Sequence, residues 1–98
     1  MIESPPQMAI LHTGKLLKVL QVTGIAGMRM PEHISTKEAV IIIQKGSAVI
    51  TMKGNDYLLQ KHESMIIPGG EKHTLRITED FQAHVIMETD SQIKFINS

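Results

Sequence analysis

The chain contains no cysteine and no tryptophan, and only three aromatic residues in 98. Without cysteine there is no disulfide, no thiolate nucleophile, no zinc finger and no iron–sulfur cluster. Net charge is missing as well, because ten basic residues balance ten acidic ones. A chain so balanced has no basic face to neutralise a row of phosphates, and nucleic acid is not an expected partner. It also lacks the polybasic cluster that would hold it on an anionic membrane. No apolar run approaches the ~18 residues of a spanning helix. The opening "MIESPPQMAILHTGK" has neither the charged start nor the apolar stretch of a signal peptide. A cytoplasmic protein without a membrane partner is the expectation. The last absence is helical periodicity: no window of about eleven residues sets apolar positions at i, i+3, i+4 and i+7 between caps.

What is present is a series of short apolar runs cut by turn residues. They include "MAILH" (8–12), "LLKVLQVTGI" (16–25), "AGMRM" (26–30), "AVIIIQ" (39–44), "SAVITMK" (47–53), "HTLRIT" (73–78) and "FQAHVIME" (81–88). Glycines in "QKGS" (44–47) and "KGND" (53–56) supply the positive φ that tight hairpin loops require. "PGG" (68–70) and "TED" (78–80) read as further turns. About ten short strands without intervening helices predict an all-β fold, an antiparallel sandwich or barrel. Residues 1–98 read as a single domain, with room for one core. Seven methionines suit either gap-filling in that core or an adaptable pocket.

The candidate chemistry lies in two spaced frames. The first, 27–46, runs Gly27, His33, Ser35, Ala39, Gly46; the second, 62–77, runs His62, Pro68, Gly70, His73, Ile77. This pattern resembles the two motifs of the cupin family. In that family a glycine precedes two histidines separated by one residue, then a glutamate and a second glycine. The second motif carries a proline, a glycine and a third histidine. Every spacing agrees. Gly27, His33, Gly46, Pro68, Gly70 and His73 match by identity, whereas Ser35, Ala39, His62 and Ile77 depart.

The resemblance implies a jelly-roll β-barrel, the double-stranded β-helix. In the family, three histidines and a glutamate face the barrel interior and hold a catalytic metal with open positions. Here His33 and His73 keep two ligand positions. Ser35 offers only a weak hydroxyl and Ala39 has no donor atom, so two ligands of four are missing. Glu38, one residue away from the glutamate position, and His84 are the neighbours that could repair the set. Strand alternation turns both outward. His12 and His62 read as peripheral.

The expected function is therefore binding of a small organic ligand inside the barrel, as sensor, carrier or accessory protein. His33, Ser35 and His73 would orient it, with Met30, Ile42, Leu75 and Ile77 as apolar walls and Val40 beside Ile42. No cofactor is expected. A metal-dependent oxygenase, isomerase or decarboxylase, with a divalent ion held by His33 and His73, is the alternative. The family habit of pairing through edge strands implies a homodimer, here involving "LLKVLQV" (16–22). The sequence contains no helix-turn-helix, so DNA binding is not expected.

Overall fold

A computed structural model describes residues 5–96. Eight strands make up its regular structure: β1 (Gln7–Thr13), β2 (Leu17–Gly24), β3 (Arg29–Ser35), β4 (Ala39–Met52), β5 (Asn55–Gln60), β6 (Ser64–Ile67), β7 (His73–Glu88) and β8 (Ile93–Phe95). Among the described residues no helix is long and apolar enough to cross a membrane.

Every pairing is antiparallel, and β4 and β7 organise all the others. These two long strands run side by side from Ala39↔Met87 to Met52↔His73. The second half of β7 takes β2 as its other neighbour, and β1 follows; the first half of β4 takes β6. The first half of β7 takes β3 and then β8, while the second half of β4 takes β5. One sheet is thus β1-β2-β7-β4-β6 and the other β8-β3-β7-β4-β5, with the two long strands bending from one into the other. This is the antiparallel jelly roll.

Two breaks expected from the sequence are not breaks. "QKGS", expected as a hairpin loop, and "TED", expected as a polar turn, lie inside β4 and β7 and face each other at the bend. Gly46 has φ of 75°, and a Cβ there would sit 1.9 Å from the Asp80 carbonyl oxygen. The pairing shifts register at Ile43/Lys45, Lys45/Ser47 and Ser47/Ala48. Side chains fasten the corner. Ser47 Oγ lies 2.7 Å from Thr78 Oγ1 and donates to Glu79 Oε1 at 2.9 Å, while the Ala26 amide donates to Asp80 Oδ1. Merging the four flanking runs into two strands explains why eight strands stand where about ten were expected. "KGND" does form a hairpin: Lys53 and Gly54 both have positive φ between paired Met52 and Asn55. "AGMRM" begins as a turn, closed by the Met28 amide on the Ile25 carbonyl, and its strand starts at Arg29.

The bulge at Gly46 also resets which residues face inward. Before it, Ala39, Ile41 and Ile43 are buried; after it, Ala48, Ile50 and Met52 are. Odd numbers become even across one bend, because each extra residue in a bulge moves the pleat by one position. Ile42 and its neighbour Val40 therefore point outward, which corrects their assignment to the interior. The core is closed by Ile43, Ile50, Ile77, Ala48 and Ala83, each at most 1% exposed.

Candidate functional site

The site begins with an irregularity in β3. Met30 pairs with Leu75 and His33 with His73, so two residues of β3 oppose one of β7 between these pairs. Pro31, which has no amide to give the ladder, occupies this bulge. The extra residue lets Met30 and His33 both face inward although they are three apart, and Ser35 follows by ordinary alternation. All three are buried.

His33 and His73 are direct cross-strand neighbours. Their ring centroids lie 4.2 Å apart with planes at 61°. Each ring is held the same way: Nδ1 of His33 is 2.8 Å from the Pro31 carbonyl oxygen, and Nδ1 of His73 is 2.9 Å from that of Glu71. The Phe95 ring lies 5.5 Å from that of His33. Ser35 Oγ donates to the Lys37 carbonyl at 2.8 Å. The Pro68-Gly69-Gly70 turn joins the two frames, since the Gly70 amide donates to the Ser35 carbonyl at 2.8 Å. Gly69 packs there against the Lys37 backbone, where a Cβ would come within 3.0 Å. Lys37 in turn bonds Asp90 at 2.9 Å, and its amide donates to the Oγ of fully buried Ser91. The loop bearing Ser35 is thus tied from both sides.

These residues open onto a cavity of about 50 Å³ inside the barrel. Among the described residues its polar lining side chains are those of His33, Ser35 and His73. Met30 and Leu75 line it as expected. Ile77 is buried on the same face of β7 but beyond the cavity, and Ile42 is outside. Glu38 is exposed, as are His12 and His62. His84 pairs with Ile42 and Gln21 on the outer face and does not reach the site. Sequence reasoning missed Ile41, Ile50, Met87 and Met8 as wall residues. Ile41 and Ile50 were findable only by placing the Gly46 bulge. Met8 comes from β1, whose residues are all exposed and carry no burial pattern to read.

Among the described residues no group of three or more His, Cys, Asp or Glu side chains comes together. Two imidazoles converge, the Ser35 hydrogen is engaged by a carbonyl, and Ala39 lines the wall without a donor. Catalytic zinc ordinarily has three protein ligands, and non-heme iron two histidines with a carboxylate. The residues present do not fit either.

Burial pushes His33 below its ordinary value of 6.5; its bond to the Pro31 carbonyl opposes this, and the neighbouring His73 reinforces it. The unfolded chain binds a proton at His33 more readily than the folded one. This contribution to stability is therefore complete above pH 6.5 and is lost as pH falls from there through the folded value. Urea melts of the protein and of His33→Phe at pH 8 and pH 5 should show a smaller loss on acidification in the variant. An equal loss in both would place the effect elsewhere.

The Cupin domain family profile matches residues 22–88, and the chain belongs to that family. Solved structures agree on the fold. A protein with a double-stranded β-helix domain from Klebsiella pneumoniae superposes with a TM-score of 0.83 at 14% identity, over 100% of this chain and 90% of that one. A cupin superfamily protein from Desulfitobacterium hafniense gives 0.79 at 18% identity, over 92% and 83%. The polyketide cyclase RemF from Streptomyces resistomycificus gives 0.82 at 14%, over 100% and 78%. At such identities the likeness concerns the fold alone. No curated protein sequence matches the chain.

Proposed function

We propose that this cupin binds a small organic molecule inside its barrel without a catalytic metal, as a sensor, a carrier or an accessory to a separate enzyme. One observation carries the reading: three polar side chains, from two distant segments, meet in a cavity otherwise walled by apolar groups. Such a site orients a ligand through few polar contacts and binds it through apolar burial. Two imidazoles alone grip a divalent cation weakly. Elemental analysis of protein purified without a histidine tag or chelator should find well under one equivalent of metal. Near-stoichiometric iron, manganese or nickel that vanishes in His33→Ala and His73→Ala would replace this reading with a second one.

That second reading is a metal-dependent enzyme with an atypical ligand set. It is favoured by the convergence of His33 and His73 at 4.2 Å, and by the existence of enzymes such as the polyketide cyclase RemF on this fold. The same metal analysis separates the two.

We also propose that the protein works as a homodimer in the cytoplasm. Most of "LLKVLQV" lies in β2, which is paired on both sides by β1 and β7, and β1 lies outside it. Among the described residues β1 ends its sheet, and its Met8, Ile10 and Leu11 are exposed. An uncovered apolar edge strand invites pairing with another chain. Sedimentation at micromolar concentration should report a dimer, and Ile10→Lys a monomer. A monomeric parent protein would remove the proposal.

A further inference from the structure

The hydrogen-bonding sense of the cavity follows from its framework. A neutral imidazole has one donor nitrogen and one acceptor nitrogen. The oxygens that face the two Nδ1 atoms belong to the Pro31 and Glu71 carbonyls, which accept and never donate. Both bonds, at 2.8 and 2.9 Å, therefore require the proton to sit on Nδ1 in each ring. Each Nε2 is left with a lone pair. No described side chain or backbone group bonds either one, and neither is sealed away, since no fully buried side-chain nitrogen or oxygen lacks a partner. Each keeps some accessible surface, on a residue that lines the cavity.

Ser35 repeats the pattern. Its hydroxyl proton goes to the Lys37 carbonyl, so only oxygen lone pairs remain for a guest. The remaining lining side chains are apolar, methionine included, whose sulfur is at most a weak acceptor. Among the described residues, every strong polar side-chain group of the wall thus accepts, and none donates.

We propose that the cavity selects small neutral molecules that present a hydrogen-bond donor, an alcohol or an uncharged amine, and rejects carboxylates and ketones of the same shape. The proposal rests on the reading of the barrel as a small-molecule site and names the chemical class that site takes. A hydroxyl in the cavity beside the rings can give its proton to an Nε2. A carboxylate or ketone oxygen there meets lone pairs rather than donors, loses its hydration and gains no bond. Sites built to bond a substrate hydroxyl discriminate far more strongly than apolar pockets that differ by a methylene. The cavity volume sets the size. At about 10–15 Å³ for one water, 50 Å³ admits roughly three to five heavy atoms.

Isopropanol, acetone and acetate are matched probes, each with four heavy atoms in one branched shape. Chelator-treated protein at pH 8, where free imidazole is neutral, is observed by long-range proton–nitrogen NMR of the histidine rings. Before any addition, both His33 and His73 should show the Nδ1–H tautomer. Each probe is then titrated separately. Isopropanol should shift the Nε2 signals of the two rings and the Met30 methyl in a saturable way, with acetone and acetate weaker by about tenfold or more. Equal or stronger shifts from acetone or acetate would overturn the donor preference while leaving the cavity as a small-molecule site. An Nε2–H tautomer in either ring would also overturn it alone. Silence from all three probes would overturn the preference and the small-molecule reading together.

Discussion

Gly46→Ala should cost about 2–5 kcal/mol of folding stability, a sum of two separable effects. The first is conformational. At φ of 75° an L side chain sits in the left-handed region, at roughly 1–2 kcal/mol. The second is contact. The new Cβ would lie 1.9 Å from the Asp80 carbonyl oxygen and 2.8 Å from its carbon, both backbone atoms of β7. They cannot move aside without parting the two strands that both sheets share, and forced overpacking of this kind adds about 1–3 kcal/mol. Gly54→Ala is the control. Its φ is 76°, yet nothing lies within 4 Å of the added carbon, so only the conformational part should appear. Urea melts of the two variants measure the difference directly. Equal losses would show that the close approach at the bend does not hold the barrel together. For a small domain with about 5–15 kcal/mol in total, the larger loss approaches unfolding.

The same bend explains how much of the fold was legible. The apolar runs "AVIIIQ" and "SAVITMK" read as strand, but a positive-φ glycine between them reads identically in a hairpin and in a bulge, so the single strand β4 reads as two. What distinguishes the two is the partner: Gly46 meets the backbone of Glu79 and Asp80, more than thirty positions away in a sequence that gives no local hint of it. Gly54 has the same backbone sign and a local partner, Met52 paired with Asn55, and its hairpin was predictable. Counting alternation from the turn before Val40 puts Ile42 inside, one residue out of step with the structure, where Ile41 is buried.

The site was legible to the extent that its frames carry their own geometry. His33 and His73 were placed together by motif spacing, and the structure sets them side by side. Met30 was expected inside as well, although strict alternation from His33 turns it out. The bulge at Pro31 reconciles the two. The orientation of the rings was not legible, because it depends on carbonyls at Pro31 and Glu71 whose direction is fixed only once β3 and β7 have paired. It is this orientation, rather than the presence of histidines, that decides what the cavity can recognise.

Ile50→Ala should produce the largest loss among single changes to the cavity wall, about 2–5 kcal/mol. Ile50 is 1% exposed, packs in the main core and lines the cavity opposite Leu75. Truncation removes apolar contacts and leaves a void that the neighbouring strands, fixed by β-ladders, close only in part. Val49→Ala, one residue earlier on the outer face and half-buried, should lose far less. Similar losses at the two positions would contradict the inward assignment of even-numbered residues after the bend. The void also adjoins the existing cavity, and an apolar cavity enlarged in this way binds apolar guests such as benzene. Because a guest that binds only the folded state raises stability with its concentration, benzene should raise the melting temperature of Ile50→Ala more than that of the parent. An unshifted melt would mean that Met30, Met87 and the other flexible walls had fallen into the gap. The methionines would then be acting as filler, and the size limit on the ligand would be set by how far they yield.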